Sequence, residues 1–469
     1  MVLLISTYDL GRQPFGLASP AAWLRRAGIE VVILDLSRQK LDLALASRAR
    51  MVAVYLPMHT ATRLALTVLD RVRALNPLAV LCAYGLYAPL NAELLRARGV
   101  THVLGPEFEA DLVAAARHAL SAEDPAGPMP GEPGPEMARP PDGHAPLPRL
   151  SFIQPDRRDL PGPDSYATLQ LPDGRRRVAG STETTRGCKH RCRHCPIVPV
   201  YGGQFRVIPA DVVLADIRAQ VAAGVEHVTF ADPDFLNGPA HARRIVEAMH
   251  AEWPALTFDA TIKIEHLLKH RELLPVLAES GCLFVTSAVE SIDDEVLRLL
   301  GKGHTRADFE AAVRLCHTAG LTLAPTFVAF TPWTTLDGYR ALLDTIEDLD
   351  LVAHVSPVQW AIRLLVTNRS PLLELPDIRA AVSHFDPRTL THPWRHSDPR
   401  VDALQRAVMH LVGVQINRPR LETFDAVRAL VDAALADGAP GRAHRRTAHG
   451  HAPLPSRATI PYLNEPWYC

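Results

Sequence analysis

Thr184-Thr185-Arg186-Gly187-Cys188-Lys189-His190-Arg191-Cys192-Arg193-His194-Cys195-Pro196 is the stretch around which the rest of the chain is organised. Its three cysteines are spaced C-x3-C-x2-C and follow a short β-prone run, Ser181 to Thr185, and a glycine. A compact loop of this kind can bring three thiolates to one face of a cubane iron–sulfur cluster. Redox-stable four-iron clusters normally take four protein thiolates. Three leave one iron with an open coordination position, and chemistry happens at an open position on a metal. Zinc is the competing reading, because His190 or His194 could complete a tetrahedral set. Structural zinc loops usually pair two C-x2-C knuckles at a distance, and this sequence has no second knuckle. Of the seven cysteines, Cys82, Cys282 and Cys316 sit singly in apolar runs, as core thiols do.

The loop resembles the signature of the radical S-adenosylmethionine (SAM) enzymes. The resemblance implies that Cys188, Cys192 and Cys195 hold a [4Fe–4S] cluster whose open iron chelates the amino and carboxylate groups of SAM. It also implies reductive cleavage of a carbon–sulfur bond, fed by a one-electron donor such as flavodoxin or ferredoxin. The family usually has an aromatic residue before the third cysteine to pack near the adenine. Here His194 stands in that place, and an imidazole can also stack and hydrogen-bond.

The 469 residues suffice for two or three domains with real cores. An apolar content of 47% and a charged content of 22% are ordinary for a soluble globular protein. A net charge of −1 gives no overall electrostatic footprint for nucleic acid or an anionic membrane. No apolar run approaches a membrane span, and the start Met1–Ser6 lacks a basic leader region. Scattered cysteines fit a reducing compartment, so the expectation is a cytoplasmic protein with a small-molecule substrate.

Residues 1–120 alternate short apolar runs (2–6, 31–34, 51–55, 79–83) with amphipathic stretches (18–26, 61–75, 92–98). This is the pattern of βαβ units in a doubly wound, Rossmann-like parallel sheet, with ligands beyond the C-terminal strand ends. No G-x-G-x-x-G is present, which argues against a dinucleotide. The layout resembles the cobalamin-binding domain that precedes many radical SAM cores, although the D-x-H-x-x-G cobalt-ligand motif is absent. Cobalamin binding and a cofactor-free scaffold both stay open at this point. Residues 121–150 form a proline-rich linker that can sustain neither a helix nor an inner strand.

Within 151–370 the βα alternation returns, with six candidate strands at 181–185, 227–231, 257–262, 283–288, 322–329 and 355–362. That count fits the partial (βα)6 barrel of radical SAM enzymes, with chemistry at the C-terminal strand ends. By the same resemblance, Asp232 and Asp234 after the second strand bind the SAM amino group, the less favoured reading being an Asp-rich turn that caps the next helix. Lys263 after the third strand could meet the SAM carboxylate. Ser287 and Glu290, in Ser287-Ala288-Val289-Glu290-Ser291, match an S/G-x-x-E-S element that reaches the ribose or methionyl part. Phe330-Thr331-Pro332-Trp333 departs from the usual G-x-P-G-E-T. Gln359, Arg363 and Asn368 are the polar candidates at the sixth strand, Arg363 suiting either a carboxylate ligand or a structural ion pair.

Residues 371–469 carry two amphipathic helices, 398–414 and 421–435, that could cover the barrel mouth, then a loose histidine-bearing stretch. The last residue, Cys469, follows Trp467-Tyr468. This ending resembles radical SAM proteins whose tails end in Cys-Cys-Ala-Glu-Pro or carry selenocysteine in the second place. The resemblance implies that Cys469 is the catalytic first half of a vicinal pair, and that the true tail runs past an in-frame TGA codon. A soft pair suits a metalloid, so the expected reaction is transfer of the 3-amino-3-carboxypropyl group of SAM to arsenite. The alternatives are a cobalamin-dependent radical SAM methyltransferase and a non-catalytic iron–sulfur sensor or scaffold.

Overall fold

Val2–Ser6 (β1), Val31–Asp35 (β2), Met51–Tyr55 (β3), Val80–Tyr84 (β4) and His102–Leu104 (β5) are apolar almost throughout, so each must be covered on both faces. In the computed structural model, which describes residues 1–121, 150–414, 418–436, 458 and 460–464, they form one parallel sheet in the order β2-β1-β3-β4-β5. Helices Phe15–Arg26, His59–Leu75 and Glu109–Ser121 bury apolar side chains on this sheet. The order reverses between β1 and β3, and in doubly wound sheets that switch point is where ligands bind. The strand β5 and helix Leu43–Arg48 go beyond the sequence expectation, being too short to show a period.

The second sheet runs β13-β12-β11-β10-β7-β6-β14. Its parallel strands are Arg176–Thr182 (β7), His227–Phe230 (β10), Thr257–Thr261 (β11), Cys282–Glu290 (β12) and Thr322–Phe327 (β13). Thr168–Gln170 (β6) and Tyr462–Leu463 (β14) add antiparallel edges, and Thr185–Gly187 (β8) pairs with Phe205–Val207 (β9) as a separate ribbon. Helices Ala210–Ala222, Pro239–Glu252, Arg306–Thr318 and Leu336–Asp348 cover the outer face. This is a curled half-barrel beside a Rossmann-like sheet.

Three sequence expectations need correction. The sixth strand, 355–362, is replaced by a 3-10 turn, Pro357–Trp360. Pro357 has no amide to give a ladder, the Gln359 side chain accepts the β13 amide of Phe327 at 3.1 Å, and only the Phe330–Arg363 bridge remains of the pairing. The helix expected over 267–279 is broken at His270 into Ile264–Lys269 and Leu274–Glu279, which puts Pro275 in a first turn, where a missing amide costs nothing. The C-terminal helices, Pro399–Val414 and Arg420–Ala436, do not cover the mouth. They pack on Leu336–Asp348 through Phe424, Val427 and Val431, at the side of the core. Loops of the N-terminal sheet face the mouth instead.

The two sheets are joined through Arg186. Its guanidinium makes a bidentate pair with Glu109 (2.6 and 3.0 Å), bonds Glu183 at 2.9 Å, and lies 5.2–5.5 Å from the ring centres of Phe15, Phe108 and Phe152. Burial opposes its charge, but Glu109, Glu183 and Glu107 keep it protonated. Arg157 adds a second tie, to Asp216 at 2.8 Å and to Gln13 of the N-terminal sheet at 3.2 Å.

Candidate active site

The cysteine loop leaves the half-barrel immediately after β7 and is held from several sides. Asp232, at the end of β10, accepts the Thr184 amide (2.9 Å) and both the Thr184 and Thr185 hydroxyls (2.7 and 2.6 Å). Gly187 has φ +79°, and a Cβ there would stand 2.4 Å from the Tyr201 ring, so only glycine fits. Asn237 accepts the Lys189 amide and donates to the Gly187 carbonyl, both at 3.3 Å. Arg193 anchors the far side through its amide on Leu300 (2.8 Å) and its guanidinium on Leu299 (2.8 Å).

Cys188, Cys192 and Cys195 are free thiols. Burial pushes Cys188 up to about 11 and Cys195 up to about 12, against amide hydrogen bonds from His190 and Ile197 that favour the thiolates. Soft thiols that burial keeps protonated, with amides already aimed at sulfur, suit a metal cluster that deprotonates them on binding. The residues present therefore fit an iron–sulfur centre.

Around this loop the strand ends bring together most of the expected residues. His194 Nε2 lies 3.0 Å from Glu290, whose other cationic neighbour is Lys302 at 3.5 Å. Burial alone would raise the Glu290 carboxyl, but Lys302 and His194 hold it at about 2. Glu290 has φ +70°, a strained conformation for a non-glycine residue, and it lies at the β12–β13 register shift. Ser287, fully buried, has no hydrogen-bond partner for its hydroxyl among the described residues.

Asp234 belongs to a second group. Its Oδ2 lies 2.6 Å from His266 Nδ1 and 3.4 Å from His190 Nε2, and the two imidazoles meet Nε2 to Nε2 at 3.2 Å. Lys263 approaches His190 Nδ1 at 3.2 Å and Glu265 at 3.0 Å. If Lys263 donates to His190 Nδ1, the His190 proton sits on Nε2 and points to His266, whose own proton at Nδ1 faces Asp234. Burial works against the Asp234 charge, yet the two histidines bring its carboxyl well below the usual range. Sequence reasoning missed His266 and His304, and took His190 only as a zinc ligand. His304 is buried with neither ring nitrogen partnered among the described residues. Lys263 is the N-cap of helix Ile264–Lys269 and His266 lies in its first turn, so the Lys-x-x-His step was the available signal.

Two expected cofactor contacts are occupied otherwise. Asp232 spends its oxygens on Thr184 and Thr185. Arg363 gives Nη1 to Asp402 (2.7 Å) and Nη2 to the Trp394 carbonyl (2.7 Å), with its guanidinium 3.4 Å from the Trp394 ring centre. Asn368 donates to Leu90 across to the N-terminal sheet at 3.3 Å. Cys469, His444, His449 and His451 lie outside the described residues, as does 122–149 of the linker.

Asp232 yields a pH prediction. Burial raises its carboxyl from 3.8 to about 6 against its hydrogen bonds, so between these values the folded chain binds the extra proton. Stability from this group is therefore present below 3.8 and lost as pH rises through 6. Asp232→Asn is expected to flatten the melting temperature between pH 4 and pH 6, measured by calorimetry against the parent chain.

A cavity of about 930 Å³ runs the length of the half-barrel. At the mouth it is walled by His194 and Pro196 of the cysteine loop and by Arg12, Thr60, Arg63 and Tyr87 from the loops after β1, β3 and β4. Its sides are residues of β11, β12 and β13, including Thr261, Phe284, Thr286 and Thr326. Its floor is made by Val412 and Gly413 at the end of one C-terminal helix, by Arg418 and Arg420, and by Ile460–Leu463.

A half-barrel with a three-cysteine loop after its first parallel strand, facing a Rossmann-like sheet across a common cavity, defines an α/β class shared with known enzymes. Residues 182–334 match the model of the Radical SAM superfamily, so this segment carries the domain of that superfamily. A tRNA-2-methylthio-N(6)-dimethylallyladenosine synthase from Sorangium cellulosum is 29% identical over 224 residues, 41% of this chain and 42% of the relative. A bacteriochlorophyllide d C-12(1)-methyltransferase from Chlorobaculum tepidum is 28% identical over 206 residues, 43% of each chain. The matches thus span less than half the length of these relatives. The radical SAM methyltransferase TsrM from Kitasatospora setae, solved with cobalamin and a [4Fe–4S] cluster, superposes with a TM-score of 0.60 at 17% identity, over 93% of this chain and 99% of that one. OxsB, a cobalamin-dependent SAM radical enzyme, gives 0.68 at 14% identity, over 92% and 71%. These two share the fold with both sheets included. Because one relative modifies tRNA, a net charge of −1 does not by itself exclude a nucleic-acid substrate. Among the described residues no helix is long and apolar enough to cross a membrane.

Proposed function

We propose that this chain is a cobalamin-dependent radical SAM methyltransferase acting on a small molecule. The observation that carries the reading is the single cavity that connects the β1/β3 switch point, the cysteine loop and the apolar lumen. The wall fits a corrinoid by position, since Arg12, Thr60, Arg63 and Tyr87 come from the loops where such sheets hold ligands. A [4Fe–4S] cluster on Cys188, Cys192 and Cys195 would supply one-electron reduction of SAM, and cobalamin against these loops would supply a methyl carrier.

The chain's own residues do the rest. Asp234, fixed by His266 and His190, keeps a charged acceptor beside the loop, suited to an ammonium group that offers only donors. Ser287, Glu290 and His194 provide donors and acceptors at the strand ends for a sugar hydroxyl or a base edge. Phe284, Val328 and Val412 keep water from the lumen, which strengthens the polar contacts at its rim and protects a reactive carbon from side reactions. Asp232 acts through Thr184 and Thr185, setting the loop.

Aminocarboxypropyl transfer to arsenite has less support: relatives and structural neighbours of this chain are named as methyltransferases, and Cys469, on which that reading rested, lies outside the described residues. Anaerobic incubation of the reconstituted chain with cobalamin, SAM and a strong reductant separates the readings. S-adenosylhomocysteine together with 5′-deoxyadenosine is the expected result. Methylthioadenosine would replace it with aminocarboxypropyl transfer, and neither product with an intact cluster would leave a sensor or scaffold.

A further inference from the structure

The inner wall of the half-barrel carries a buried carboxylate, Asp259, that the proposed reaction does not use. Side chains alternate along β10 and β11. Val228, Phe230, Phe258 and Ala260 belong to the core beneath the outer helices, so His227, Thr229, Asp259 and Thr261 face the lumen. Asp259 is 4% exposed and lines the cavity together with Thr261, Phe284 and Thr286. A carboxylate in such a place costs free energy unless donors meet it.

The protein meets one of its two oxygens. Oδ1 accepts from the Thr229 hydroxyl at 2.6 Å and lies 2.9 Å from His227 Nε2. His227 is itself fully buried, with Nδ1 2.9 Å from the Thr257 hydroxyl and its ring stacked on Phe284 at 6.2 Å. These contacts fix the carboxylate from the neighbouring strand. No group donates to Oδ2 among the described residues. A carboxylate oxygen is an acceptor, so the group that suits Oδ2 is an O–H or N–H.

The level above Asp259 is polar as well. Thr261 and Thr286 are register partners on β11 and β12, and neither hydroxyl has a hydrogen-bond partner among the described residues. Phe284, the register partner of Asp259, and Ala324 give the lumen its apolar wall beside them. Successive inward residues on a strand lie about 7 Å apart, and β11 ends at Thr261. A donor bound at Oδ2 therefore sits about one ring's length below the strand ends.

We propose that Asp259 orients the substrate: it accepts an O–H or N–H of a small molecule with an apolar, ring-sized body. The contact sets which carbon of that body reaches the strand ends beside the cysteine loop. It rests on the methyltransferase reading for what happens at that carbon, whereas the binding contact itself does not. Asp259 is thus a specificity-determining residue.

The test uses the reconstituted full chain with SAM, under anaerobic equilibrium dialysis. The probes are 2-naphthol and 2-methoxynaphthalene, which share a body and differ in that the ether has no donor. A hydrogen bond to a carboxylate is worth roughly ten- to hundredfold in affinity, so the naphthol is expected to bind at least about tenfold tighter. Asp259→Asn can keep its oxygen toward His227 and Thr229 and turn its amide N–H to the lumen. The ether should then bind as tightly as the naphthol or tighter. Thr286→Leu leaves the Asp259 contacts in place and narrows the lumen one level above, so it should weaken both probes by roughly tenfold or more. If Asp259→Asn does not fold, the probe ratio of the parent chain and Thr286→Leu still decide. Equal affinities in the parent chain, a preference that survives Asp259→Asn, or naphthol binding untouched by Thr286→Leu would each overturn the proposal. The electron paramagnetic resonance change that SAM causes in the reduced cluster of the parent chain is read separately. Its absence would fail the radical SAM reading and leave the probe result standing.

Discussion

Replacing any one of Cys188, Cys192 or Cys195 by alanine is expected to leave purified, reconstituted protein with little bound iron and no measurable SAM cleavage. The three thiols lie on one loop, and two of them receive amide hydrogen bonds from within it. Two thiolates cannot replace three, because each missing ligand opens a second iron to solvent. Iron and sulfide content, the charge-transfer absorbance near the visible blue, and nucleoside release report the loss directly. Cys316→Ala serves as the contrast. Cys316 is on the buried face of helix Arg306–Thr318, its thiol pushed up to about 12 by burial alone, and its loss should cost stability by about 1–2 kcal/mol through a small cavity without touching iron content. A chain that keeps a full cluster after Cys192→Ala would assign the cluster a different ligand set, and zinc in place of iron in the parent chain would return the loop to a zinc site.

Arg186→Ala is expected to destabilise the chain by about 3–5 kcal/mol, the cost of leaving buried carboxylates without their partner. Arg186 is 7% exposed and Glu109 0%, so water cannot take over the lost hydrogen bonds. Burial raises Glu183 and Glu107 already with the arginine present, and without it they would take up protons and lose their charge. Arg186→Lys should recover only part of the loss, because an ammonium cannot make the bidentate pair with Glu109 or stack on Phe15, Phe108 and Phe152. Urea unfolding followed by circular dichroism measures the effect, and a double-mutant cycle with Glu109→Gln isolates the pair. The unfolding curve decides between local loss and loosening of the two sheets: in the second case the transition splits in two. A single transition shifted by less than 1 kcal/mol would show that the joint is carried by Arg157 and Asn368 instead.

These two expectations bear on function through one geometric fact. Arg186 is the second residue before Cys188, so the side chain that joins the sheets lies within the loop that presents the thiols. Any motion between the N-terminal sheet and the half-barrel must pass through it. The mouth of the cavity is therefore set by the same contact that sets the cysteine loop.

The cysteine loop was legible in the sequence because its chemistry is local: three soft ligands within eight residues and a glycine that only a tight turn requires. The strands β1, β3, β10, β11 and β13 were legible for a similar reason, since apolar runs between amphipathic stretches have few other solutions. Tertiary structure decided what spacing cannot encode. Gln359 reads as a pocket residue until its side chain is seen taking the hydrogen bond of a missing strand, a trade that depends on Pro357 and on the packing of Trp360 against Phe424. Asp232 and Asp234 are two residues apart and alike in sequence, yet one turns inward to clasp two threonines while the other meets two histidines from elsewhere in the chain. His266 and His190 are far apart in sequence and become neighbours only when β11 and the cysteine loop are placed side by side. Arginines scattered from Arg12 to Arg420 come to line a common cavity only because the fold curls around it. Sequence fixes residue types and local periods; which charges share a dry space is decided by folding, since that depends on distance and dielectric rather than on order along the chain.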